Sequence, residues 1–407
     1  MLVLSSSITD NFNDVLEMIP VSKRLLITSR KNWEKADQAN VNKAFSQVHL
    51  VEEYRDSAEV ELKALELFKS YGFSRIISSA TGECDLLRAA QLREYLGLEG
   101  QDYKSALSFR DKKIMKDIVT EAGYNAPKYA EVNSGIDLIK FIDKHGYPVI
   151  IKPKRDAASI GTQLIEDVND LGKVMKKRFN TRQYSNLMVE TFVKGKMFHI
   201  DGLVLNGQVI AWPSIYTGTA MDMMEGKVYV DHLLSPENPL IDLMIDYAKK
   251  ILAIFPTPRN TAFHFECFLD NKDELTFCEI ASRVGGGYIS WMWQTAFDIN
   301  LRKAFYQIQA GLDVSKPLKL QRPKCIPGSI VLPKKRGLVK NIAYECPLDF
   351  VTNYSTFCIK GDMLEKSENT FSPVLSCFIL GSSERDFLEK KDKFIDWLNS
   401  SFYIEEN

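Results

Sequence analysis

Two acidic residues, Glu266 and Glu279, sit in a pattern that leaves the surrounding chain few ways to fold. The run Phe263-His264-Phe265-Glu266-Cys267-Phe268-Leu269 is aromatic and apolar, as is Leu275-Thr276-Phe277-Cys278-Glu279-Ile280-Ala281, and a polar stretch from Asp270 to Glu274 separates them. Two such runs flanking a short polar segment read as a β-hairpin. Folding the chain between Lys272 and Asp273 places Glu266 opposite Glu279, because the two lie equally far from that point. Directly opposed residues have Cβ atoms roughly 5 Å apart, and like charges there destabilise a sheet. Two carboxylates held so in apolar surroundings ask for a cation between them, and oxygen-only ligation favours Mg²⁺ over zinc. The second run leads into Ser282-Arg283-Val284-Gly285-Gly286-Gly287, a fixed positive charge beside backbone that carries no side chains. The expected site is therefore a metal–phosphate position next to one for an anionic substrate.

Composition narrows the class. A chain of 407 residues, 45% of them hydrophobic, exceeds one compact core, so two to four lobes are expected. Basic and acidic residues nearly cancel, 52 against 53, which gives no electrostatic case for nucleic acid or a membrane surface as partner. The apolar start Met1-Leu2-Val3-Leu4-Ser5 is too short for a signal peptide, and no run approaches the roughly 18 apolar residues of a membrane span. Seven dispersed cysteines without CxxC spacing fit reduced thiols in a cytoplasmic protein.

Along the chain, Leu2-Val3-Leu4, Leu25-Leu26-Ile27 and Arg75-Ile76-Ile77 read as buried parallel strands, with a helix from Ala58 to Tyr71 between them. That alternation predicts an N-terminal doubly wound α/β lobe over residues 1–107. A second unit, 108–193, holds a helix from Lys112 to Ala122, a strand near Tyr129, a helix from Asp137 to His145, and strands at Val149–Lys152 and Leu187–Glu190. A third, 194–315, contains a strand from Ile200 turning tightly at Asn206-Gly207, a helix from Pro239 to Ile254, and the glutamate hairpin. Residues 316–407 read as a β-rich lobe ending in a charged amphipathic helix from Glu384 to Leu398.

Several side chains carry both a plain reading and a chemical one. Glu266 and Glu279 alone could be solvated strand residues, and His264, on the Glu266 face, reads as a hydrogen-bonded structural histidine. Arg283 could be a surface arginine, yet its planar fork suits carboxylate or phosphate, and glycines let a ligand approach the backbone. Lys152 ends an apolar strand on its Ile150 side, where a phosphate would justify an ammonium. Lys112 opens a helix, an electrostatically poor place for a cation. Ser159-Ile160-Gly161 is either an ordinary loop or a phosphate cover. The extended run Glu190-Thr191-Phe192-Val193-Lys194-Gly195 offers backbone groups able to read an adenine edge. Trp291 and Trp293 read first as core aromatics.

The order of these features resembles the ATP-grasp superfamily, and within it the carboxylate–amine ligases that include bacterial L-amino acid ligases. The resemblance spans residues 75 to 312 and rests on Arg110-Asp111-Lys112-Lys113-Ile114-Met115-Lys116, Tyr147-Pro148-Val149-Ile150-Ile151-Lys152-Pro153, His264-x-Glu266 and Glu279-Ile-Ala-x-Arg283. It implies an ATP-grasp fold, with 108–193 and 194–315 as its small and large subdomains. It implies that Lys112 and Lys152 contact ATP phosphates, and that the loop at Ser159 and Gly161 closes over them. Glu190 and Val193 would meet the adenine through backbone atoms with Phe192 beside the base, Glu266 and Glu279 would hold Mg²⁺, and Arg283 would neutralise the carboxylate being activated. The implied reaction joins a small-molecule carboxylate to an amine through an acyl-phosphate, releasing ADP and phosphate. A carrier-protein thiol or bicarbonate as acceptor, or a nucleotide-binding regulatory protein without turnover, are the alternatives, and a homodimer is an open expectation. Two positions depart from the family pattern: Met197 stands where relatives carry a ribose-binding glutamate, and Ala281 where many carry a metal-ligating asparagine.

Overall fold

The computed structural model describes residues 1–6, 23–157, 159–179, 186–218, 222–223, 226–314, 320–366 and 373–406. Short apolar runs without polar alternation have to be covered on both faces. They form a parallel sheet of β1 (Leu2–Ser5), β2 (Leu25–Ser29), β3 (Gln47–Val51) and β4 (Ile76–Ser78) in the order β3-β2-β1-β4. The strand β3, half polar and at the sheet edge, was not anticipated from the sequence. The order reverses between β1 and β4, which opens a crevice at their carboxyl ends. Glu83 opens the helix Glu83–Leu96 just beyond β4.

The second sheet is antiparallel: β5 (Tyr129–Val132), β6 (Val149–Pro153), β7 (Gln163–Ile165) and β8 (Leu187–Thr191), in the order β5-β8-β6-β7. Val149 and Ile151 face a core made with the helices Gly135–His145 and Val168–Arg178. Alternation therefore turns Ile150 and Lys152 to the opposite face, as expected.

The largest sheet has eight antiparallel strands: β9 (Lys196–Leu205), β10 (Gln208–Thr217), β11 (Tyr229–Leu233), β12 (Thr261–Leu269), β13 (Leu275–Ala281), β14 (Ile326–Pro333), β16 (Val351–Thr356) and β18 (Pro373–Gly381). β9 and β10 are joined at Asn206 and Gly207, both at positive φ, the two-residue turn their sequence demands. The order is β13-β12-β9-β10-β11-β14-β18-β16, so strands from beyond residue 320 continue the sheet that holds the hairpin. The expected boundary at 315/316 lies outside the described residues. A small sheet of β15 (Gly337–Ile342), β17 (Met363–Leu364) and β19 (Phe402–Glu405) completes the C-terminal part.

Alternation splits the large sheet into two faces. Phe198, Phe263, Phe265 and Phe277 are fully buried on one, packing toward the helix Ile241–Ile254, with Phe265 and Phe277 stacked 5.7 Å apart. Each such ring contributes about 1.5–3 kcal/mol, and a one-residue slip would send all of them to the other side. That other face carries His199, Asp201, His264, Glu266 and Glu279. Trp293 is buried and Trp291 stacks on Phe378, as core aromatics do. Among the described residues no helix is long and apolar enough to cross a membrane.

Candidate active site

The hairpin holds the expected pair, but by a different route. Glu266 pairs directly with Glu279, as His264 does with Ala281; past a register shift Cys267 pairs with Phe277 and Leu269 with Leu275. The loop is thus centred on Lys272 itself, and a β-bulge at Cys278 supplies the residue that restores the register. A regular hairpin about Lys272 would have set Cys278 opposite Glu266.

Charges converge on this pair from a helix and from the second sheet. Lys112 begins the helix Lys112–Glu121, whose N-cap Asp111 accepts from the amides of Lys113 and Ile114 and offsets the cation at the helix start. Its Nζ lies 3.0 Å from Glu279 Oε2 and donates to the Asp156 carbonyl at 2.7 Å. Burial would raise the Glu279 carboxyl, but Lys112 and Lys152 hold it down at about 2. Glu266 Oε1 accepts from His264 Nε2 at 3.3 Å, and Oε2 lies 4.0 Å from Cys278 Sγ. The two carboxylates themselves offer only oxygen, the ligand type that suits a hard cation.

Two buried trios flank the pair. Glu190 receives Lys152 Nζ at 2.5 Å and Lys116 Nζ at 3.1 Å, and Lys116 also donates to the Cys278 carbonyl at 2.8 Å. Burial opposes ionisation of both partners; it lowers Lys116, whereas the two ammonium groups hold Glu190 below the usual carboxylate range and Glu190 holds Lys152 above its ordinary value. In the second trio Glu83 Oε1 accepts from Arg283 Nε at 2.7 Å, with Arg283 Nη2 also on it, while Glu83 Oε2 lies 2.9 Å from Arg110 Nη1. Burial again works against Glu83, and the two guanidinium groups keep it ionised. Each trio sets two cations against one carboxylate and keeps one positive charge in excess, away from bulk water. That surplus fits a polyphosphate or carboxylate anion.

The remaining expected residues are placed as follows. Glu190 sits in the central strand β8, paired with Tyr129 and Ile150, and it is its side chain that enters the cluster. Phe192 is exposed, its N–H bonded to Pro148 O, and Val193 lies within the link, 192–195, between the two sheets. Ser159 and Gly161 lie in the 154–162 loop at positive φ, tied back by Arg178 to Gly161 O. Among the described residues that loop reaches the charged cluster through two carbonyls, Arg155 O accepting from Arg110 and Asp156 O from Lys112, rather than through Ser159 or Gly161. The glycines after Arg283 were expected to admit a ligand; Gly285 instead makes room for protein. A Cβ there would fall 2.6 Å from Asp201 Oδ1 and 2.9 Å from His264 Nδ1.

The sequence reading gave no role to Glu83, Arg110, Lys116, His199 or Asp201. Lys116 follows Lys112 by one helical turn on the same face, a signal that was present. His199-x-Asp201 has the same strand period as His264-x-Glu266. For Glu83 the only hint is its place after a buried strand, and its partner Arg283 lies 200 residues away.

Residues 117–289 match the family model of the ATP-grasp domain. The chain carries an ATP-grasp domain. The hairpin, both lysine-bearing elements other than the start of the Lys112 helix, and Arg283 fall within it. The ATP-grasp chain is 26% identical over 298 residues to the L-arginine-specific L-amino acid ligase of Bacillus subtilis, covering 72% of this chain and 71% of that relative. It is 28% identical over 125 residues to D-alanine–D-alanine ligase A of Bacillus cereus, covering 30% of this chain and only 40% of that relative. In fold it matches the crystal structure of an L-amino acid ligase from Bacillus licheniformis with a TM-score of 0.76 at 17% identity, over 100% of this chain and 98% of that one.

Proposed function

We propose that the protein is an ATP-dependent carboxylate–amine ligase that activates a carboxylate, of an amino acid in the simplest case, as its acyl-phosphate and couples it to an amine, releasing ADP and phosphate. The observation that carries this reading is the Glu266–Glu279 pair in register within an ATP-grasp domain, with Lys152 and Arg283 of that domain and Lys112 just ahead of it acting on Glu279. The names of the relatives, ligases that act on L- or D-amino acids, support the choice of substrate class.

When bound, ATP supplies the phosphoryl group and Mg²⁺ the charge neutralisation that phosphoryl transfer needs. The chain's own part is positioning and electrostatics. Lys112 and Lys152 hold phosphate oxygens, Glu266 and Glu279 hold the metal, and Arg283 holds the substrate carboxylate in its bidentate fork. Lys116 keeps Glu190 in place beneath them. Phe192 and Val193 border the base, and the loop with Ser159 and Gly161 excludes water. These roles fall in the proposed subdomains 108–193 and 194–315, with 1–107 and 316–407 as flanking lobes, and seven free thiols accord with a cytoplasmic setting.

Incubation with ATP, Mg²⁺ and amino acids, singly and in pairs, should release ADP only when a substrate carboxylate is present. Mass spectrometry should find a product equal to the pair less one water. Silence across the whole panel with ATP binding retained would overturn the ligase assignment.

A further inference from the structure

The polar face of the large sheet carries a chain of alternating carboxylates and imidazoles that runs past the residues assigned above. Asp231 Oδ1 lies 2.8 Å from His199 Nε2, and His199 Nδ1 meets Asp201 Oδ2. Asp201 Oδ1 lies 2.9 Å from His264 Nδ1, whose ring ends on Glu266 Oε1 at 3.3 Å. His199 and Asp201 are fully buried, and Asp231 and His264 almost so. Tyr216 stacks on His199 with ring centres 4.4 Å apart, and Gly285 packs against the Asp201–His264 contact. The strands set this geometry: His199 is directly opposite Glu266 and Asp201 directly opposite His264.

An ionised carboxylate only accepts, so each ring nitrogen facing one donates. Each histidine is thereby pinned between two carboxylates in a single ring orientation. His199, Asp201 and His264 offer ligand atoms within 4.8 Å of one another, but those atoms are already spent on each other and on Asp231 and Glu266. The trio is a relay of hydrogen bonds, not a second metal centre.

We propose that Asp201 is a positioning residue for Glu266: acting through His264 it holds Oε1 and leaves Oε2 to the cation, while His199 and Asp231 hold Asp201 itself. The inference rests on the reading of Glu266 as a metal ligand. Outer hydrogen-bond partners of metal ligands are typically worth 10–100-fold in metal affinity, because they remove the rotational freedom of the ligating group.

The test titrates Mn²⁺ into the full-length protein with ADP present, following free Mn²⁺ by electron paramagnetic resonance, and measures ADP affinity separately in chelator. Asp201→Asn should weaken Mn²⁺ by about 10–100-fold and leave metal-free ADP affinity unchanged. Asp231→Asn, which still offers His199 an oxygen, should give a smaller loss in the same direction and serves if Asp201→Asn does not fold. Wild-type protein that fails to retain Mn²⁺ with ADP would remove the metal reading of Glu266, and this inference with it. Wild-type retention with Mn²⁺ affinity unchanged in both variants would overturn the positioning role alone. So would equal losses of Mn²⁺ and metal-free ADP affinity, the mark of general damage.

Discussion

The two ends of the charged cluster are built from contacts of very different range. At the hairpin end, Glu266 and Glu279 lie on adjacent strands, and a single bulge residue decides that they face each other. At the arginine end, Arg283 is held by Glu83, 200 residues away at the crevice of the parallel sheet. The first is a local arrangement of two carboxylates, met by Lys112 on Glu279 and by His264 on Glu266. The second is an assembled one, in which the N-terminal sheet delivers a carboxylate to a guanidinium of the large sheet. The group expected to greet a substrate carboxylate already holds a protein carboxylate, so substrate has to share Arg283 with Glu83 or displace it.

The sharpest test of the local end is Glu279→Gln, which keeps the shape and removes the anion. We expect kcat to fall by about 10²–10³-fold in the ADP-release assay with the melting temperature preserved; wild-type turnover would end the metal assignment. At the assembled end, Arg283→Lys keeps the charge and loses the fork, and kcat/KM should fall by about 10²-fold. An equal fall in the two variants would erase the distinction between the ends as far as catalysis is concerned.

Gly285→Ala probes the place where the two ends meet. Its Cβ would come within 2.5–2.9 Å of Ile289, Asp201 and His264, and overpacking of this kind costs about 1–3 kcal/mol, readable as a lower denaturation midpoint. An unchanged midpoint would return the glycine to the ligand-approach role first expected of it.

The smallest effect is on pH. Burial works against charging His199, but Asp231 and Asp201 raise its pKa from 6.5 to about 10. A raised pKa stabilises the fold fully below the unfolded value and loses that contribution as pH rises through the folded one. Melting temperature should therefore decline from about pH 6.5 toward pH 10, and Asp201→Asn should flatten the slope. A wild-type profile level over that range would remove the charged histidine from the relay.

The local end was largely legible in the chain. Aromatic alternation around 263–281 set the hairpin and the shared face of the two glutamates, because a strand's side-chain period depends on backbone geometry alone. The pairing was reached from a turn centred half a residue too late, and the unseen bulge at Cys278 made up the difference. Short-range signals also marked the lysine strand, the Asn206-Gly207 turn and the buried parallel strands. The sequence by itself thus determined the elements and the facing pair, since propensity and periodicity act between near neighbours. Only the tertiary structure decided that Glu83 meets Arg283, that Glu190 is shared by Lys116 and Lys152, and that His199 and Asp201 stand behind His264. Those contacts join strands and helices brought together by packing, and the buried charges select partners by proximity in a medium of low polarity, which no spacing along the chain records.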